Sequence, residues 1–246
     1  MQKIICYCPI LYGGEMLDAA IKAVEPFCEK IVMLYTPKPS YGHGTNIPCP
    51  ESEADLMNIA YSASHKVDWR RIDASHEGQH RGLIFRIAEQ GKFDGVLTFD
   101  ADEVMSDLTN WLPKFAESKA RNIGFTGYVN FYKSFNFACY DQFAPIRYIN
   151  LHNTDGQENF PVTVYHFGCA QRMPIMEYKL LIHGHKNEIR PDWLNDVYKK
   201  WEPGMMIDKG LHLTSHDLWP TAIPFDKNTL PDILKNHFNY TKDVIL

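Results

Sequence analysis

Four short apolar runs, spaced by segments of helical periodicity, fill the first hundred residues, and this alternation limits the fold more than any other feature of the chain. Residues 3–8, 31–35, 67–72 and 95–99 read as strands. Residues 13–27, 51–64 and 78–90 read as helices, the first carrying Leu17, Ile21, Val24 and Cys28 at helical spacing. The run at 31–35 is apolar throughout, as a parallel strand covered on both faces requires. Pro9 and the Gly13-Gly14 pair mark the first connection, and residues 36–50, with four prolines and two glycines, form a loop. The order βαβαβαβ predicts an α/β fold with a mostly parallel central sheet and helices on both faces. Ligands of such sheets gather at the carboxyl ends of the strands.

A further helix is expected at residues 107–119, with Leu108, Leu112 and Phe115 on one face. The period then changes to two. Ile123, Phe125, Gly127, Val129 and Phe131 alternate with their neighbours, which predicts an antiparallel-type strand half facing a core. Residues 147–151 and 162–167 read as two more strands, and in the second Val162, Val164 and His166 share a face. Residues 173–185 and 191–201 read as helices, residues 204–224 as irregular chain, and Thr229 as the N-cap of a short terminal helix.

At 246 residues the chain can bury the core of one large domain. Its hydrophobic and charged contents, 45% and 22%, are ordinary for a globular protein, and the 13% aromatic share leans toward ligand pockets. A net charge of −5 excludes the global basic field of a non-specific nucleic-acid binder. The six cysteines are scattered, with no C-x-x-C pair, which reads as buried free thiols in a reducing, cytoplasmic setting. The apolar stretch 4–11 follows a single lysine and precedes no small-residue cleavage pattern, so it reads as a first strand. No run approaches the roughly 18 apolar residues of a membrane span.

The chemistry is carried by Val96-Leu-Thr-Phe-Asp100-Ala-Asp102-Glu103-Val104, where a buried strand delivers two carboxylates spaced two apart. On an extended backbone Asp100 and Asp102 face the same side. Hard oxygen ligands suit Mg²⁺ or Mn²⁺, which keep positions open for water and substrate phosphates. An isolated Asp-x-Asp is often a solvated turn, and its place after the fourth strand is what raises this one. An EF-hand is excluded because Val104 and Met105 stand where a further ligand and glycine are needed. There is neither a G-x-x-x-x-G-K-[ST] loop nor a G-x-G-x-x-G after the first strand.

Phe99-Asp-Ala-Asp-Glu-Val104, with the helix and strand of residues 81–98 before it, resembles the Asp-x-Asp region of glycosyltransferases with the GT-A fold. It is similar to the family-2-like and family-17-like enzymes that write the motif as Asp-Ala-Asp-Glu, and the likeness spans about the first 130 residues. Val164-Tyr-His166-Phe-Gly168, followed by Lys179, resembles a downstream element of the same enzymes. The resemblance implies a single GT-A-like domain, with a nucleotide-sugar-binding half at 1–130 and an acceptor-side half at 131–246. It implies transfer of a sugar from a nucleoside diphosphate-sugar to a hydroxyl acceptor. Asp102, and Asp100 directly or through water, would hold the metal, with His166 as third ligand. An imidazole suits Mn²⁺ better than Mg²⁺.

Arg81 and Lys179 are candidates for fixed cations at the diphosphate. Pro9, Tyr12 and Ala101 are candidates to line the donor site. Related enzymes often carry an Asp after the second strand to read the donor base; here Tyr35-Thr36-Pro37-Lys38-Pro39 stands there, and Asp73 is the nearest substitute. Glu188 and Asp192 are candidates for the catalytic base, with Glu177 and Asp217 open. Each has a plainer reading: His166 as a core histidine, Arg81 as a solvated helix residue, Pro9 and Tyr12 as turn residues, the carboxylates as surface groups. His183 with His185, and His212 with His216, lack the companions of a zinc site, though His185 or His212 could replace His166 as ligand.

A nucleotidyltransferase or phosphohydrolase using the same metal is the second class; the absence of Lys or Arg in residues 9–14 counts against it. A non-catalytic nucleotide-sugar-binding protein is the third. The acceptor class stays open among glycans, small molecules, proteins and a hydroxymethylated DNA base. DNA would call for a local groove built from Lys66, Arg70 and Arg71, or from Lys179, Lys186 and Arg190, with Trp69 or Trp193 stacking on bases.

Overall fold

The structure is a computed structural model that describes residues 2–39, 44–74, 76–140, 142–215 and 217–245. Strands β1 (Ile4–Ile10), β2 (Lys30–Tyr35), β3 (Val67–Arg71) and β4 (Gly95–Thr98) run parallel in the spatial order β3-β2-β1-β4. Helices α1 (Gly14–Val24), α2 (Glu53–Ala63) and α3 (Glu77–Gln90) connect them. Strand alternation divides the apolar side chains between two layers. Ile4, Cys6, Cys8, Ile31 and Met33 pack with Leu17, Ile21, Leu56 and Ala60 of α1 and α2. Ile5, Tyr7, Val32, Leu34 and Val96 pack with Ile84, Ile87 and Ala88 of α3. Each large aliphatic so buried contributes about 1.5–3 kcal/mol, so the continuous apolar runs are what a doubly covered sheet demands.

Strand β1 runs further than the sequence suggests, pairing Pro9 with Leu34 and Ile10 with Tyr35 of β2. Phe99 N–H donates to Tyr7 O on the β4 side at 3.0 Å. Pro9, two residues on, turns its missing N–H to that same side, where β4 has already ended, so no ladder bond is lost.

The chain then forms β5 (Glu103–Met105), α4 (Leu108–Glu117), β6 (Asn122–Tyr132), β7 (Phe137–Cys139), β8 (Ile146–Asn150) and β9 (Gln157–Cys169). Beyond β4 the sheet is mixed. β8 lies antiparallel to β4, and β6 antiparallel to β8. The period-two run at β6 predicts antiparallel pairing, and this holds along one edge only: β8 pairs its first residues and β7 its last, while β9 runs parallel along its other edge. β5 in turn pairs antiparallel with β9, setting Glu103 opposite His166.

Helix α5 (Met173–Ile182) stops before His183, shorter than expected. Of the helix expected at 191–201, a wide six-residue turn, Trp193–Tyr198, is present, entered through Asp192 in the left-handed region (φ 57°). After β10 (Ile223–Pro224), Asp226 instead of Thr229 caps a short turn, accepting from Asn228 N–H at 3.1 Å. α6 (Asp232–Lys235) follows from Pro231. All six cysteines are free thiols. Among the described residues no helix is long and apolar enough to cross a membrane.

Candidate active site

The carboxylate pair sits on a turn. β4 ends at Thr98, and Glu103 N–H donates to Asp100 O at 3.0 Å, closing a four-residue β-turn from Asp100 to Glu103. This corrects the expectation of an extended backbone through Ala101, and the consequence is that the two carboxylates part company. Asp100 Oδ2 accepts from Arg147 of β8 at 2.7 Å. The same guanidinium donates to Glu103 Oε1 and, at 2.8 Å, to the Tyr128 hydroxyl, which itself donates to Glu103 Oε1 at 3.1 Å. Glu103 Oε2 accepts Asp100 N–H at 3.2 Å, so the turn is locked from beneath. Burial pushes the Glu103 carboxyl up to about 7, with Arg147 opposing and the charges of Asp100 and Asp102 adding.

Asp102 faces the other way. Its Oδ2 accepts from Gln171 Nε2 at 2.8 Å and lies 3.5 Å from Lys179 Nζ of α5; its Oδ1 stands 3.8 Å from His166 Nε2. Nδ1 of His166 meets Asn130 Oδ1 at 2.8 Å, an acceptor, so the ring proton sits on Nδ1 and the Nε2 lone pair is left toward Asp102. Burial alone would raise Asp102, yet the charge and hydrogen bond of Lys179 outweigh it and hold the carboxylate below its ordinary range. Burial, against the pull of Asp102, lowers His166, so its ring is neutral. Burial also disfavours a charged Lys179, but Asp102 carries it above its usual value, and its ammonium donates to Gly168 O at 3.0 Å.

These groups border a cavity of about 390 Å³ at the carboxyl ends of β1, β2 and β4. Pro9, Tyr12, Asp100, Ala101, Asp102, His166 and Lys179 all line it, as do His183 and His185. Burial pushes the Tyr12 phenol up to about 12, so it is neutral. Gly13 opens the neighbouring helix with φ 109°, and a Cβ there would stand 2.8 Å from Ala101 Cβ, so glycine lets α1 approach the carboxylate turn. The α1 N-terminus itself is taken: Glu51 Oε2 accepts Gly13 N–H at 2.6 Å and Gly14 N–H at 3.1 Å, while its other oxygen pairs with Arg172 at 2.9 Å. An internal carboxylate thus stands where nucleotide-binding helices often receive a phosphate.

Several expected site residues lie elsewhere. Arg81 is exposed on α3 and does not line the cavity. Asp73 is exposed and does not line the cavity; it pairs with Lys38, a lining residue 2.8 Å away. Glu188 lies behind His185, Oε1 to Nδ1 at 3.0 Å, and Asp192 is exposed outside the lining. Glu177 pairs with Lys199, and Asp217 is exposed in a strained turn (φ 72°). His212 Nδ1 accepts Thr214 and Ser215 N–H groups in a local turn and does not itself line the cavity; His216 lies outside the described residues. Among the described residues no group of three His, Cys, Asp or Glu side chains converges as a metal cage would, so Asp100, Asp102 and His166 are not assembled as one ligand set. Asp102 and His166 are brought together, and Asp100 is held by Arg147 instead. Of the two basic grooves that DNA would call for, the first is internally satisfied: Lys66 bonds the carbonyls of Glu25 and Cys28, Arg70 pairs with Asp68, and Arg71 with Glu53. In the second, Lys179 is taken by Asp102 and Gly168, and Arg190 donates to Gly210 O. Trp193 is 1% exposed and cannot stack on a base.

No family model and no curated protein matches the chain. Among solved structures it is similar to glucosyl-3-phosphoglycerate synthase from Mycobacterium tuberculosis in complex with Mg²⁺ and uridine diphosphate, with 16% identity, a TM-score of 0.36, and coverage of 52% of this chain and 44% of that one. The same enzyme with Mn²⁺, UDP-glucose and phosphoglyceric acid overlaps with 14% identity and a TM-score of 0.35 over 52% of this chain and 44% of that one. The chain therefore spans less than half the length of these structures.

Proposed function

We propose that the protein is a metal-dependent glycosyltransferase of the GT-A kind, moving a sugar from a nucleoside diphosphate-sugar to a hydroxyl acceptor. The observation that carries this reading is the division of labour at Asp102: one oxygen fixed by Gln171 and Lys179, the other facing a neutral imidazole whose tautomer Asn130 sets. Such a carboxylate–imidazole pair fits a divalent cation that takes its remaining ligands from phosphates and water, and the nitrogen favours Mn²⁺. Asp102 and His166 would hold the ion; bound there, it supplies neutralising charge for the departing diphosphate. Lys179 adds a fixed cation within the same wall of the cavity. Asp100, tied to Arg147, keeps the turn in place and presents its partly exposed carboxylate to the donor. Pro9, Tyr12, Ala101 and the Thr36–Lys38 segment form the donor wall, with Asp73 acting through Lys38.

The test is a donor screen: incubate the protein with Mn²⁺ and each common nucleotide-sugar, and follow release of nucleoside diphosphate. Release from at least one donor, lost on chelation and in Asp102→Ala, is expected. No release from any donor, with Mn²⁺ binding unchanged in Asp102→Ala, removes the reading.

A further inference from the structure

If a hydroxyl is to attack the donor sugar, something in the cavity has to take its proton. The carboxylates that line it, among the described residues, are Asp100 and Asp102, and both are already committed to Arg147, Gln171 and Lys179 on the side assigned to the diphosphate. Glu188 and Asp192 do not line it. Four histidines do: His80, His166, His183 and His185. His80 is 3% exposed, closed within the protein, and His166 faces Asp102. His183 Nδ1 accepts the backbone N–H of His185 at 3.1 Å; its proton is then on Nε2, and the ring has no lone pair left to receive another.

His185 is arranged the opposite way. Its Nδ1 meets Glu188 Oε1 at 3.0 Å, on the short turn Lys186–Glu188 that follows it. A carboxylate is acceptor-only when ionised, so it holds the ring proton on Nδ1 and leaves Nε2 as the basic nitrogen. The pair has the parts of a general base and its orienting carboxylate. It also explains why Glu188 stands beside the cavity without lining it.

We propose that His185 is the catalytic base of the transfer and Glu188 its positioning residue, an inference that rests on the glycosyltransferase reading above. The acceptor O–H proton passes to His185 Nε2 as the oxygen bonds the anomeric carbon. The bond from that carbon to the diphosphate oxygen breaks with its electron pair leaving on the diphosphate, and configuration inverts. The imidazolium, stabilised by Glu188, returns its proton to solvent. The titratable groups around His185 are Glu188, Lys186 and the ring of His183 at 5.8 Å, with Lys179 and His212 in turn facing His183.

The experiment uses the full chain with Mn²⁺ and the nucleotide-sugar that wild type hydrolyses, water serving as the probe acceptor. His185→Gln should cut the hydrolysis rate about 100-fold or more while leaving nucleoside diphosphate binding unchanged. Glu188→Gln should retain more activity than His185→Gln and lower kcat with little change in KM. Independently of turnover, nitrogen-15 correlation spectra of wild type should show His185 protonated on Nδ1 at neutral pH. An unchanged rate in His185→Gln, or an Nε2–H tautomer, overturns this inference and leaves the parent reading standing. Failure of wild type to hydrolyse any donor overturns both.

Discussion

At the scale of single residues the site is a set of charges held in fixed pairs. Arg147 binds Asp100, Glu103 and Tyr128 at once, and Glu103 is nearly solvent-free, its side chain 2% exposed. Arg147→Met removes the cation from a buried carboxylate and should cost about 3–5 kcal/mol in urea unfolding. The loss should be smaller in acid, where Glu103 takes up a proton; without Arg147 to oppose burial, that protonation moves above the wild-type value of about 7. A second pH signature comes from His183, which burial, aided by Lys179 and His185, pushes down to about 4 from an ordinary 6.5. Its folded value lies below its unfolded one, so its contribution is complete above 6.5 and is lost as pH falls through 4. The melting temperature should drop across that window in wild type and drop less in His183→Gln. Asp100 and Asp102 are legible in the sequence because they stand two apart and follow an apolar run. Arg147, Asn130 and Gln171 are not: each lies in a different segment and belongs to no motif, and Gln171 meets Asp102 from 69 positions away.

At the scale of elements, what matters is how closely α1 approaches the turn between β4 and β5. Gly13 permits that approach through a left-handed backbone and the absence of a Cβ. Gly13→Ala places a methyl against Ala101 and imposes about 1–2 kcal/mol of backbone strain, so it should lower the urea midpoint and, by displacing Asp102, weaken Mn²⁺ binding. The helices and parallel strands of the first half show in the sequence because burial of one stripe or of both strand faces leaves a long period to read. β5 and β7 have three residues each and β10 two, too few for any period. The first part of β9, Gln157-Glu158-Asn159, is polar and exposed, and its parallel pairing with β6 depends on a distant partner. α5 ends early because the His183–His185 segment turns into the cavity lining, a tertiary demand that local pattern does not carry.

At the scale of the whole molecule, the cavity is built where two kinds of sheet meet. The parallel strands bring Pro9, Thr36 and Asp100 to one end, and the mixed strands with α5 bring His166, Lys179 and His185 against them. The position of this cavity was readable from the βαβ order and the switch-point rule, whereas the wall formed by His183 and His185 depends on irregular chain after α5. The central claim is that Asp102 and His166 hold a divalent ion beside a diphosphate. Electron paramagnetic resonance of free Mn²⁺ tests it directly, with protein titrated in the presence of each nucleoside diphosphate. At least one nucleotide should make wild type withdraw Mn²⁺ from solution, Asn130→Ala should do so about 10–100-fold more weakly, and Asp102→Asn should not do so measurably. Equal withdrawal by wild type and Asp102→Asn, with every nucleotide, would contradict the account.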